Sequence, residues 1–394
     1  MSELDLIATA AFGLESVVAR EVGQLGYEVT SVEDGRVCFA GPPAAIARAN
    51  LWLRSADRVL VRVGAFEARD FGELFDRVRE LPWPDWLGAD AAFPVRGRAV
   101  RSTLMSVRDC QAITKKAIVE SLRSAYGGEW LAESGSAYQV DFSILKDRVT
   151  VALDTSGDGL HKRGYRTQGG AAPLRETLAA ALVQLSYWSA ERPFLDPFCG
   201  SGTIPIEAAM IGRRLAPGAM RSFAAEAWPQ LDAELWRRSR EEASDSAVAA
   251  PVHPLIGTDI DEHSLDQARF HAQNAGVAAD VHFQRADVGA LKSKRKYGCV
   301  ITNPPYGERL GDRAEAEGLY RRLASALAPL DTWSVYVLAS HPRFEQVFGR
   351  RATRRRKLYN GRIECTYYQY AGPRPPYRHS TEEDGELGDR DPAG

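Results

Sequence analysis

The sequence predicts an α/β protein whose C-terminal half forms a mostly parallel sheet with helices on both faces, preceded by two smaller α+β units. Three observations predict it. Residues 194–203 run from an apolar strand (Phe194-Leu195-Asp196) through a glycine turn (Cys199-Gly200-Ser201-Gly202) into a helix. From there to residue 339, strand and helix patterns alternate, which implies parallel strands joined by helices. The first 66 residues instead follow the order β-α-β-β-α-β.

Taken in order, residues 4–10 form a strand, and Leu14, Val17, Val18, Val22 and Leu25 have helical apolar spacing. Residues 27–39 make two strands turning at Glu33-Asp34-Gly35, followed by a helix at 42–51 and a strand at 58–66. That order resembles a ferredoxin-like unit. The next region has a helix at 71–81, a strand at 99–103 and a helix at 109–126 capped by Asp109. Strands at 138–144 and 148–154 follow, joined by a Lys146-Asp147 turn. Residues 157–173 are rich in Gly, Arg and Lys and suit a linker, and 175–188 a helix. The alternating region then places elements at 194–196, 203–211, 255–259, 265–274, 281–284, 300–303, 317–327 and 333–339. The expected units are 1–67, 68–156, a linker at 157–171, 172–371, and a polar, acidic, disordered tail at 372–394.

The chain has 394 residues, 44% of them hydrophobic, and a net charge of −2, so any nucleic-acid binding must rest on local basic patches. The five cysteines are scattered without C-x-x-C spacing, which predicts neither a metal site nor a disulfide framework. No signal peptide or apolar membrane span is evident, so a soluble cytoplasmic protein is expected.

The glycine turn lets backbone approach a ligand, and the helix behind it offers free N–H groups. A dinucleotide fingerprint requires a third glycine where Pro205 stands. Asp196, before the turn, repels a bare phosphate and suits an amino group. Asp259 ends the next strand and suits ribose hydroxyls, with Ile260 against an adenine face. Asp287, beside Val288, ends a third strand and suits an adenine amine. Singly, each acid equally suits a helix N-cap. Three at successive strand ends point to an amino-acid-bearing nucleoside.

Asn303-Pro304-Pro305-Tyr306 ends a fourth strand. An exocyclic base amine is a weak nucleophile because its lone pair is delocalised. Two acceptors, the Asn303 side-chain oxygen and the Pro304 carbonyl, can hold its N–H bonds and free the lone pair. The prolines remove competing donors, and Tyr306 suits stacking on an unstacked base.

On these motifs the region 172–371 resembles the Rossmann-like class I S-adenosylmethionine-dependent methyltransferases. The resemblance implies S-adenosylmethionine as donor, held by Asp196, Phe198, Cys199, Gly200, Ser201, Gly202 and Thr203, and by Leu174 and Thr177 in the preceding segment. Asn-Pro-Pro-Tyr resembles the motif of amino methyltransferases acting on adenine N6, guanine N2 or a glutamine amide. Residues 70–154 resemble a THUMP domain, an RNA-binding module, through Val100-Arg101-Ser102 and the helix from Gln111 to Val119. The insert from Leu215 through Trp228 and Trp236 resembles that of the bacterial 23S rRNA guanine-N2 methyltransferases. The expected function is methylation of guanine N2 in 23S rRNA. Alternatives are a tRNA guanine-N2 enzyme, an adenine-N6 DNA methyltransferase and a non-catalytic RNA-binding assembly factor. Arg101, Lys115, Lys116, Lys162, Arg163, Arg166, Arg354 and Arg355 are the expected RNA contacts. His161, Trp228 and Trp236 are expected to pack.

Overall fold

The computed structural model describes residues 3–127, 132–167, 174–251, 253–307 and 312–376. The expected tail lies outside them from residue 377 on. Among the described residues the strands form two seven-stranded sheets.

The first sheet begins with β1 (Leu4–Ala10), α1 (Glu15–Gln24), β2 (Glu28–Glu33), β3 (Arg36–Gly41), α2 (Ala44–Trp52) and β4 (Ala56–Glu67). It continues with α3 (Phe71–Arg79), β5 (Val95–Val100), α4 (Val107–Tyr126), β6 (Gln139–Leu145) and β7 (Arg148–Asp154). Strand order is β2-β3-β1-β4-β7-β6-β5. The antiparallel β4–β7 pair joins the two N-terminal units edge to edge, so they share one sheet. All four helices contribute to the core on one face. The opposite face carries a small apolar patch, Ile7, Cys38, Leu60 and Ala152, with Arg36, Arg58, Arg62, Arg96 and Arg98 at alternating strand positions around it.

Two local expectations shift. Helix α4 starts earlier because Ser106, not Asp109, is its cap and accepts from the Asp109 amide. Strand β5 starts upstream of the expected 99–103 and ends at Val100, since Arg101 has φ +50° and breaks the extended chain.

The second sheet contains α5 (Glu176–Gln184), β8 (Phe194–Asp196), α6 (Thr203–Gly212), α7 (Ala233–Asp245), β9 (Leu255–Asp259), α8 (Glu262–Asn274) and β10 (Val281–Arg285). After these come β11 (Cys299–Thr302), α9 (Asp312–Leu327), β12 (Ser334–Ala339), α10 (Phe344–Phe348), β13 (Arg354–Asn360) and β14 (Ile363–Tyr370). The order is β10-β9-β8-β11-β12-β14-β13, parallel through β12 and antiparallel at the last two. Separate apolar clusters cover its two faces. The β13–β14 hairpin was not expected; the cations at 354–357 alternate on an edge strand.

The joint before α5 is packed. Arg163 is buried, paired with Glu207 of α6, and donates to the Leu160 carbonyl at 2.7 Å. The Tyr165 hydroxyl donates to the same carboxylate at 3.2 Å. Burial and neighbouring cations push His161 down to about 4. The insert after α6 docks on the first sheet: Trp228 stacks on Tyr138 with centroids 4.6 Å apart and donates its indole N–H to the Ala137 carbonyl. Trp236 stacks on Phe223. No helix among the described residues is long and apolar enough to cross a membrane.

Candidate active site

The C-terminal ends of β8, β9, β10 and β11 open onto one cleft of about 740 Å³. In a parallel sheet these ends are where backbone and loops are free to meet a ligand. Asp196, Phe198, Cys199, Gly200, Ser201, Thr203, Asp259, Ile260, Asp287, Val288, Leu174, Asn303, Pro304, Pro305 and Tyr306 all line it. Thr177 lines a neighbouring cavity instead. Gly202 lies beneath the turn at φ +83°, where a Cβ would stand 2.8 Å from the Phe283 ring. Gly200, at φ +50°, has nothing within 4 Å of its missing Cβ, so bare backbone faces open space.

Asp196 is buried, and both hydrogen bonds to its carboxylate fall on Oδ1. Thr302 Oγ1 donates at 2.6 Å and the Phe198 amide at 3.1 Å. Oδ2 accepts none among the described residues. Burial, reinforced by the Asp259 charge, pushes this carboxyl up to about 7. A buried carboxylate with a vacant oxygen fits the ammonium of an amino acid. Asp259 is aimed by its own loop: Gly200 N–H donates to Oδ2 at 2.9 Å and Asp261 N–H to Oδ1 at 3.0 Å. Each oxygen keeps a second lone pair for a diol. Ile260 is 62% exposed, an apolar shelf beside that carboxylate. These groups fit S-adenosylmethionine. Asp287 is more occupied than expected: it accepts from Gly289 N–H at 2.7 Å and pairs with Arg322, which holds its carboxyl below the usual range.

At the tip of β11 the Tyr306 hydroxyl donates to Asn303 Oδ1 and accepts from Asn360 Nδ2 at 3.5 Å. The ring is therefore tied down by the acceptor expected to take the amine. Burial pushes its phenol well up. Tyr320 Oη donates to the Pro305 carbonyl at 2.7 Å, which fixes the loop. The Pro304 carbonyl accepts nothing among the described residues. The Cys199 thiol is pushed up by burial, so it is not a nucleophile.

Among the expected RNA contacts, Arg163 is overturned: its guanidinium is enclosed against Glu207 and cannot reach a phosphate. Arg166 is also turned inward, to Glu176, the Leu174 carbonyl and Thr203. Lys115 pairs with Glu133, Lys162 with Asp158 and Arg355 with Glu345. Arg101, Lys116 and Arg354 are exposed. Thr302, Arg322 and Asn360 were missed. For Asn360 the signal existed, since Asn360-Gly361 between two strand-like runs marks a hairpin. Arg322, on a helix 35 residues from its partner, gives none.

A glycine turn, three strand-end acids and an Asn-Pro-Pro-Tyr tip around one cleft define a class I S-adenosylmethionine-dependent methyltransferase. Comparisons with known proteins agree. Residues 163–369 match the RMKL-like methyltransferase domain, 5–60 the RlmL ferredoxin-like domain and 68–154 the THUMP domain. The chain thus belongs to the THUMP-containing RNA methyltransferases with an RMKL-like catalytic domain. YpsC of Bacillus subtilis (strain 168), provisionally named an RNA methyltransferase, is 47% identical over 384 residues, 97% of this chain and 100% of its own. A solved Listeria monocytogenes str. 4b F2365 protein, described as a predicted N6-adenine-specific DNA methylase, is 49% identical with a TM-score of 0.91, covering 95% of this chain and 97% of its own. SMU.472, a methyltransferase by provisional name solved with SAH, is 43% identical with a TM-score of 0.90, covering 95% and 100%. TrmN from Thermus thermophilus shares the fold at 22% identity and a TM-score of 0.66, covering 93% and 98%.

Proposed function

We propose that this enzyme methylates the exocyclic N2 amine of a guanosine in 23S ribosomal RNA. The observation that carries the reading is the acceptor pair at the β11 tip, Asn303 Oδ1 and the Pro304 carbonyl, on the same cleft as Asp196 and Asp259. When bound, the cofactor supplies an electrophilic sulfonium methyl. Asp196 Oδ2 would take the ammonium of its methionine part, the 200–203 turn the carboxylate, and Asp259 the ribose diol. Ile260 and Val288 would flank the adenine, and Asp287, paired with Arg322, would accept from its amine. The substrate amine displaces the Tyr306 hydroxyl from Asn303, and its two N–H bonds point at Asn303 and Pro304. Its lone pair then faces the methyl group. Tyr306, released, stacks on the base. Catalysis rests on positioning and fixed dipoles.

The insert between α6 and β9, with its resemblance to the 23S rRNA enzymes, supports the ribosomal target. A second reading, adenine N6 in DNA, is favoured by the description of the Listeria relative, and the motif suits either amine. Mass spectrometry of nucleosides from a deletion strain tests both. Loss of N2-methylguanosine from 23S rRNA is expected. Its loss from tRNA would move the target, and loss of N6-methyladenine from DNA would overturn the proposal. Unchanged nucleosides throughout would favour a non-catalytic assembly factor.

A further inference from the structure

Beside the catalytic cleft, and sharing Asn360 with it, lies a second cavity of about 530 Å³ where the first sheet meets the β13–β14 hairpin. Phe12, in the turn after β1, lines it while 51% exposed. It meets Tyr359 edge to face, with centroids 5.9 Å apart. The contact is clamped: Arg356 donates to the Gly13 carbonyl at 2.9 Å and to Ser16 Oγ at 2.7 Å. Gly13 packs so closely, at φ +89°, that a Cβ would stand 2.6 Å from the Lys357 carbonyl oxygen. The two rings are therefore held in place before any ligand arrives.

Arg175 and Arg362 line the same cavity and are exposed. Neither guanidinium makes a hydrogen bond or ion pair among the described residues. The arginines of the open sheet face differ: Arg62 pairs with Asp5, Arg58 with Asp154, and Arg96 with Asp141 and Asp154. Available positive charge thus sits beside the aromatic pair, next to the reacting site. Asp57, half-buried in the cavity wall, is pushed up by burial, opposed by Arg175. Its carboxylate accepts no hydrogen bond among the described residues. It repels a phosphate from its own end and suits the N–H edge of a base.

We propose that this cavity receives a nucleotide of the RNA adjoining the methylated one. Its base lies against Phe12 and Tyr359, and its phosphate meets Arg362 and Arg175. Aromatic stacking with arginine at the backbone is how single-stranded RNA is held. The inference rests on RNA as substrate and not on which amine is methylated, so its readout survives a change of target atom.

The test uses the full chain with Phe12→Ala, Phe12→Leu, Phe12→Trp and Arg362→Ala. Binding is read with fluorescein-labelled single-stranded RNA of mixed sequence, about twelve nucleotides long, and turnover with total RNA, rRNA and tRNA together, from the deletion strain. Phe12→Ala and Phe12→Leu are each expected to weaken RNA binding and raise KM for RNA about tenfold. Turnover at saturation and S-adenosylmethionine affinity stay at wild-type values. Phe12→Trp restores binding, and Arg362→Ala weakens it with a shallower salt dependence. RNA carrying 4-thiouridine should crosslink to peptides containing Phe12 or Tyr359. Wild-type RNA affinity in Phe12→Leu, which keeps an apolar contact without a ring, overturns the proposal. So do crosslinks confined to other surfaces.

Discussion

Two aspartates end strands and are equally buried, yet they differ in kind. Asp154 closes β7: its Oδ1 accepts from the Ser156 amide at 2.9 Å, and its Oδ2 is shared by Arg58 and Arg96. Asp196 closes β8 with both bonds on Oδ1 and, among the described residues, no cation paired with it. Burying a charge costs several kcal/mol unless it is compensated. Asp154 is compensated by the chain itself and holds strands together. Asp196 is not compensated in this way among the described residues, and burial pushes its carboxyl up; under the proposed function the cofactor's ammonium supplies the compensation. Burial and residue type are the same in the two acids; the oxygen that accepts no hydrogen bond among the described residues is what sets Asp196 apart.

The largest effect belongs to the tip of β11. Asn303→Ala should lower turnover on the order of a thousandfold, while S-adenosylmethionine affinity by calorimetry stays near wild type. Wild-type turnover would remove the acceptor pair from the reaction. Asp154→Ala should cost about 3 kcal/mol in denaturant unfolding with no direct effect on cofactor affinity. If it weakens cofactor binding in a folded protein, the distinction between the two acids fails.

Asp259→Ala should raise the S-adenosylmethionine Kd about 10- to 100-fold and leave RNA binding unchanged. Asp196→Asn should act in opposite senses on stability and binding. The folded carboxyl titrates near 7 against an ordinary 3.8, so between those values the folded state holds a proton that the unfolded state has released. Stability of the free protein therefore falls as pH rises through that window, with the whole cost present above 7. The Asn variant should melt higher than wild type at pH 8, with the gain vanishing toward pH 4, yet bind cofactor more weakly at pH 8. A lower melting temperature at pH 8 would contradict the burial argument. The smallest effect is expected of Tyr306→Phe, which removes the hydroxyl competing for Asn303 and should lower KM for RNA about fivefold. Tyr306→Ala, lacking the ring, should move KM the other way.

The sequence carried the order of elements well, because periodicity and turn residues are local. The ferredoxin-like order, the glycine turn and the alternation after Phe194 all appear in the structure. What failed was long-range. Arg163 reads as a free cation until Glu207, 44 residues away, neutralises it. The strand through Arg354 to Lys357, paired to β14, was not expected either, although Arg354 and Arg355 stay exposed on it. An edge strand tolerates charge on its open side, so the usual apolar alternation is muted. The strand-end acids were visible, but their partners were not. Arg322 beside Asp287 and Thr302 beside Asp196 follow from packing between elements that no spacing rule connects.

Trp228 stacked on Tyr138 ties the insert to the first sheet. The insert that carries it leaves the catalytic sheet, docks on the first sheet and buries its indole there. Grip and blade are thereby fastened at a constant span, like the jaws of a caliper. An RNA gripped by the first sheet would therefore meet the catalytic cleft at that one span, and a target whose geometry did not match it would not be presented.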